Sequence, residues 1–139
     1  MVTGASAGVG RAVACALARR GWLGLIARGK DGLAATRRKV LASGAPDALA
    51  YAIDMADTAA VLAAADRIAA DLGPIEVWVN NAMATVFAPL AAITPEEYRR
   101  VTEVTYLGFR RQYRVYLRIN GVLHYLWRAV DPQSSPHYA

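Results

Sequence analysis

Short, nearly unbroken apolar runs alternate along this chain with longer stretches in which apolar positions recur at helical spacing. Trp22-Leu23-Gly24-Leu25-Ile26-Ala27, Ala48 to Ile53 and Ile75-Glu76-Val77-Trp78-Val79 are of the first kind, the pattern of strands covered on both faces in a parallel sheet. Of the second kind, Ala7 to Arg20 repeats Val9, Val13 and Leu17 at four-residue spacing, and Gly21 after the basic pair Arg19-Arg20 supplies a C-terminal stop. Asp31 to Leu41 is polar and helix-forming and is ended by Ser43-Gly44-Ala45-Pro46. A third helix is predicted from Thr58 as N-cap to Gly73-Pro74, with Val61, Ala65, Ile68 and Leu72 on one face. Thr94-Pro95-Glu96-Glu97 opens a fourth, to about Leu107, with an N-cap, a proline at the first helical position and acids in the first turn. Strands and helices alternating at these lengths predict βαβ units, right-handed crossovers and an α/β fold on a parallel sheet.

The 139 residues, 55% of them hydrophobic, suffice for one domain with a buried core. No apolar run reaches the roughly 18 residues of a membrane span, and the first residues lack the basic segment and apolar stretch of a signal peptide. Cys15 is the single cysteine and falls inside the first helical pattern, which predicts a small core residue in a reducing, cytoplasmic setting. The net charge is +5, but residues 1 to 108 hold 11 Lys and Arg against 10 Asp and Glu, whereas residues 109 to 139 hold five Arg and one acid, Asp131. The body of the chain is neutral and the excess lies in the tail. Arg and Tyr interleave there, but a helix covering a sheet needs the same aromatics, so no nucleic-acid partner is expected.

An open parallel sheet binds ligands beyond the carboxyl ends of its strands, so the residues after each predicted strand are the candidates for chemistry. The first end is Thr3-Gly4-Ala5-Ser6-Ala7-Gly8-Val9-Gly10, a T-G-x-x-x-G-x-G array running into the first helix. Gly4 permits a tight turn, Gly8 lets backbone N–H groups approach a pyrophosphate, and Gly10 allows the helix to pack closely, with the positive end of its dipole at the phosphates. After the second strand, Arg28 stands where an acid would meet the ribose hydroxyls of NAD. A guanidinium fork fits a 2′-phosphate instead, so NADP(H) is favoured over NAD(H). Asp54-Met55 follows the third strand and Asn80-Asn81-Ala82-Met83 the fourth.

In that order and spacing the motifs resemble the short-chain dehydrogenase/reductase family over residues 1 to 108. The resemblance implies a Rossmann-type doubly wound parallel sheet, incomplete here because only Met1 and Val2 precede Thr3. It assigns cofactor binding to Thr3, Gly4, Ser6, Gly8, Val9, Gly10, Arg28, Asp54, Met55, Asn81, Ala82 and Met83, with Asp54 at the adenine and Asn80 steadying the central strand. Met83 replaces the glycine that usually closes the signature, which narrows the groove. Thr105, in Val104-Thr105-Tyr106-Leu107-Gly108, stands where the family has an asparagine of its proton relay. The implied reaction is reversible hydride transfer between a small-molecule alcohol or ketone and the nicotinamide, in a protein that can form oligomers.

From Phe109 onward the chain departs from the family pattern, which needs a serine, a tyrosine and a lysine four residues after the tyrosine. Tyr138 follows Gln133-Ser134-Ser135-Pro136, a context like that before the family's tyrosine, with no lysine at the required spacing. His124-Tyr125-Leu126 stand where the serine would, and Ser134 and Ser135 are too close to Tyr138. Phe109 to Arg118 is expected to continue as a basic amphipathic helix and Gly121 to Leu126 to form a fifth strand, so residues 109 to 139 make a divergent basic tail on the 1 to 108 cofactor-binding region. His124 and His137 lack partners at metal-ligand spacing, so no metal is expected. The expectation is an NADP(H)-dependent short-chain oxidoreductase in a chain truncated before the catalytic lysine. Two other readings stay open: a non-catalytic dinucleotide-binding or interaction module, and a truncated or frame-shifted product of an enzyme gene.

Overall fold

The computed structural model describes residues 1–108 throughout and, beyond them, the backbone of two strands at 116–119 and 122–125. Strands β1 (Val2–Thr3), β2 (Leu23–Ala27) and β3 (Ala48–Ala52) form one parallel sheet in the order β1-β2-β3, with Val2 opposite Leu25 and Leu23 opposite Ala48. On the other side of β1, Val2 bridges Val79 in parallel, Thr3 N–H donates to the Val79 carbonyl at 3.0 Å, and Val79 N–H donates to the Met1 carbonyl at 2.8 Å. The strand expected over Ile75 to Val79 is thus reduced to a single bridge. The two residues of β1 offer too short a template for a longer ladder, and the exposed Glu76 and Val77 gain nothing from burial.

Helices α1 (Gly8–Leu17, tightening into a 3-10 turn at Ala18–Arg20), α2 (Lys30–Ala42), α3 (Thr58–Leu72) and α4 (Pro95–Val101, continuing as a π-helical turn over Thr102–Leu107) connect and cover the sheet. Alternation along β2 divides the core in two. Leu23, Leu25 and Ala27 face a cluster with Ala14 and Ala18 behind α1 and Leu33 and Val40 of α2. Ile26 faces the opposite cluster, with Val61, Ala65 and Ile68 of α3, Met55 and Val104. Each fully buried aliphatic side chain contributes about 1.5–3 kcal/mol relative to exposure, and both faces hold several, so the sheet is doubly wound as the alternation of elements predicts.

Two details differ from the sequence pattern. The buried stripe of α1 is Gly10, Ala14 and Ala18, whereas Val9 is 69% exposed. The small stripe wins because it lets the helix approach the sheet more closely than valines would. The N-cap of α3 is Asp57, whose carboxylate accepts the Ala60 N–H at 3.0 Å, not Thr58. At α4 the capping box forms as expected: Thr94 Oγ1 accepts the Glu97 N–H, and the Glu97 carboxylate accepts the Thr94 N–H at 2.9 Å.

Strands β4 (Tyr116–Ile119) and β5 (Val122–Tyr125) pair antiparallel, with Ile119 opposite Val122, as a sheet of their own. The helix expected to reach Arg118 therefore gives way to strand at Tyr116, while residues 109–115 lie outside the described residues. The strand expected within Gly121 to Leu126 is present, but in this hairpin and not in the parallel sheet. Asn120-Gly121, a strong hairpin-turn dipeptide, lies between two runs rich in strand-forming residues, and that local signal outweighs helical periodicity. Among the described residues no helix is long and apolar enough to cross a membrane.

Candidate functional site

The end of β1 is stitched to the Asn81 segment by two side chains, Thr3 and Asn81. The Thr3 hydroxyl, fully buried, accepts the N–H groups of Asn81 (3.0 Å) and Ala82 (3.2 Å) and donates to the Val79 carbonyl (3.3 Å). The Asn81 amide donates to the carbonyls of Thr3 and Gly4, each at 3.3 Å. Asn80 is exposed and accepts the Trp78 indole N–H at 3.0 Å, so the steadying role expected of Asn80 falls to Asn81. Gly4 turns the chain at φ +65°, where a Cβ would lie 2.8 Å from the Asn81 amide nitrogen. A Cβ on Gly10 would lie 2.2 Å from the Gly4 carbonyl oxygen, so glycine alone lets α1 start this close to the sheet.

The loop between β1 and α1 is held from behind. Arg11 donates from Nε to Thr36 Oγ1 at 2.9 Å and from Nη2 to the Ser6 carbonyl, and the buried Thr36 hydroxyl lies 2.8 Å from the Ala5 carbonyl. This bracket ties the first turn of α1 to α2. The N-cap of α1, Ala7, has no side-chain acceptor for the N–H groups of that turn, which leaves them for an external anion.

A cleft of about 570 Å³ opens at the carboxyl ends of the strands, lined by Gly4, Ser6, Ala27, Arg28, Gly29, Ile53, Asp54, Met55, Asn81, Ala82, Met83, Arg100 and Val104. Its size suits a small organic ligand. Arg100 Nη2 donates to Asp54 Oδ2 at 2.6 Å, and Asp54 Oδ1 accepts the Ala56 N–H at 2.9 Å. Burial alone would raise the Asp54 carboxyl. The hydrogen bonds from Arg100 and Ala56 and the positive charges of Arg100 and Arg28 outweigh it and hold the carboxyl below its ordinary value.

Of the residues singled out in the sequence, the cleft brings together Gly4, Ser6, Arg28, Asp54, Met55, Asn81, Ala82 and Met83. Thr3 and Gly10 are buried supports behind it, and Gly8 and Val9 are exposed on the approach to and first turn of α1. Thr105 lies on the π-helical turn, where its hydroxyl donates to the Ala84 carbonyl and accepts the Ala84 N–H, both at 3.0 Å. Tyr138 lies outside the described residues. Reading the sequence missed Arg100 and Val104, which the strand-end rule cannot reach because they sit on a helix. Their i, i+4 spacing after a clear N-cap puts a cation and an apolar anchor on one face, but the spacing alone does not say what that face meets. Among the described residues no group of three or more His, Cys, Asp or Glu could hold a metal ion.

Residues 1–119 match the family model of the short chain dehydrogenases. The chain is 38% identical over 112 residues to cis-4-hydroxycyclohexanecarboxylate dehydrogenase of Sinomonas cyclohexanicum, a match covering 78% of this chain and 43% of that protein. Its fold is similar to an alcohol dehydrogenase from the archaeon Thermococcus sibiricus complexed with 5-hydroxy-NADP (TM-score 0.73, 32% identity, 79% of this chain and 47% of that one). It is also similar to a short chain dehydrogenase from Mycobacterium paratuberculosis bound to NAD (TM-score 0.74, 28% identity, 79% and 45%). The chain spans less than half the length of the curated relatives it matches. With its glycine turn locked to Asn81 and its sheet wound on both faces, the chain belongs to the short chain dehydrogenase family.

Proposed function

We propose that residues 1–108 form the cofactor-binding region of a short-chain oxidoreductase that uses NADP(H) in preference to NAD(H) and acts between an alcohol and a ketone. The observation that carries the reading is the cleft itself. It lies at the carboxyl ends of β1, β2 and β3, where Gly4 and Ser6 of the loop leading into the uncapped α1, Arg28 and Asp54 share one lining. The donor set fits a dinucleotide: backbone N–H groups at the helix N-terminus for the pyrophosphate, the Arg28 fork for a 2′-phosphate, and an ionised carboxylate at Asp54 to accept from the adenine amine. When bound, the cofactor supplies or accepts a hydride at the substrate carbon. Met55, Ala82 and Met83 line the groove, and Asn81 holds the turn that positions the phosphate loop.

Titration calorimetry of the purified chain with NADPH and NADH tests this. Binding of NADPH more tightly than NADH is the expected result, and binding of neither would overturn it. A second reading, dinucleotide binding without turnover, is favoured by Thr105, whose only proton is committed to the Ala84 carbonyl. Oxidation of NADPH followed at its absorbance band in the presence of a panel of ketones separates the two. Turnover supports the oxidoreductase, and tight binding with a flat trace supports the second reading.

A further inference from the structure

Three ionised groups line the cleft: Arg28 after β2, Asp54 after β3 and Arg100 on α4. Both oxygens of the Asp54 carboxylate carry a bond, one from Arg100 at 2.6 Å and the other from the Ala56 N–H at 2.9 Å. Arg28 lines the same cleft, and its positive charge adds to the field that favours the ionised carboxylate. Yet among the described residues Arg28 makes neither a hydrogen bond nor an ion pair. One acid therefore shares the cleft with two guanidiniums and is bonded by one. Arg100 is brought to it by two features of its own helix. The Thr94–Glu97 capping box fixes where α4 starts, and the buried Val104, one turn beyond Arg100 on the same face, anchors that face against the core.

We propose that Arg100 is a positioning residue that sets the cofactor preference: by holding the Asp54 carboxylate it leaves Arg28 without an acidic partner and available to the 2′-phosphate of NADP(H). This rests on the dinucleotide reading of the cleft given above. Without Arg100 the carboxylate would turn to Arg28, and a 2′-phosphate would have to displace it before gaining the guanidinium. A non-phosphorylated ribose makes no demand on Arg28, so NADH would be little affected. The effect is one of allocation and does not require Arg100 to touch the cofactor.

The test is a double-mutant cycle on the whole 139-residue chain, read as the ratio of the NADH to the NADPH dissociation constant, in which contributions from the shared adenine cancel. Arg100→Gln is expected to lower that ratio roughly fivefold to twentyfold, the scale of one charge-assisted hydrogen bond. In the Asp54→Asn background the same change is expected to move it less than about twofold, because no carboxylate remains to capture Arg28. Equal losses in both backgrounds would mean that Arg100 acts on the phosphate directly, and would overturn the proposal. Should Arg100→Gln not fold, Asp54→Asn alone decides: the ratio is expected to hold or rise, and a fall overturns the proposal. A wild-type chain that binds neither dinucleotide would remove the reading beneath it, an outcome distinct from binding with an unchanged ratio in Arg100→Gln.

Discussion

The two ends of the cleft are built on different principles. At the β1 end the parts are backbone, glycine and short buried side chains: Thr3, Gly4, Gly10 and Asn81 fit one another with contacts that leave no room for a methyl group. At the β2–β3 end the parts are long charged side chains, with Asp54 and Arg100 about one third exposed and Arg28 outside the buried core. The first end is set by sterics and is therefore coupled to folding. The second is set by Coulomb forces between groups half in water, which rank partners without holding the fold together. Substitutions at the first end should remove stability and all dinucleotide binding together, and those at the second should alter discrimination alone.

The largest expected effect is Gly10→Val. Its Cβ would meet the Gly4 carbonyl oxygen, a backbone atom that cannot swing aside, so a loss of about 3 kcal/mol or more is expected in urea denaturation, with NADPH and NADH binding lost in parallel. A folded Gly10→Val chain that binds normally would break the comparison at its strongest point. Next is Thr3→Val, which keeps the volume but strands the N–H groups of Asn81 and Ala82; it should cost about 2 kcal/mol by the same measurement and weaken both cofactors alike.

At the other end, Arg28→Ala is expected to weaken NADPH roughly tenfold in calorimetric titration, with NADH within about twofold and the melting temperature nearly unchanged. A parallel loss of both cofactors would show that Arg28 belongs with the steric end. The smallest effect is a pH dependence. The Asp54 carboxyl lies below its ordinary value of 3.8, so the folded chain holds its proton less tightly than the unfolded chain does. Its contribution to stability is present above that ordinary value and is lost as pH falls through the lowered one. Denaturation midpoints measured from about pH 3 to about pH 6 should therefore fall more steeply toward acid in the wild type than in Asp54→Asn, and equal slopes would show that the ion pair adds nothing to the fold.

The same division explains what could be read from the sequence. Gly4, Gly10, Asn81 and the strand–helix alternation were legible because close approach and burial demand particular residue types at particular spacings. Arg28 and Asp54 were legible as strand-end residues. Arg100 was not, since a surface arginine on a helix has the same sequence appearance whether it meets water or an acid 46 positions away. The Arg11–Thr36 bracket was hidden for a similar reason: a hydroxyl buried among carbonyls looks like any helical threonine until α2 is placed against the loop. The stripe Val9, Val13 and Leu17 lies one residue from the buried stripe of α1, with Val13 and Leu17 packed at its edge, because closeness counts for more here than apolar area. The strand at Ile75 to Val79 was over-read because its apolar pattern says nothing about how many residues its neighbour can pair.

The Arg11 bracket has a consequence in time and entropy. The Ala5 and Ser6 carbonyls turn inward to Thr36 and Arg11, and across trans peptides the N–H groups of Ser6 and Ala7 must then point the opposite way. The loop thus takes up its electropositive face when the chain folds, with its acceptors already answered from within. On the proposed dinucleotide reading, a phosphate would meet a loop whose backbone these bonds already hold in place. The entropic penalty that a floppy glycine loop would impose on each association would then be borne once, during folding.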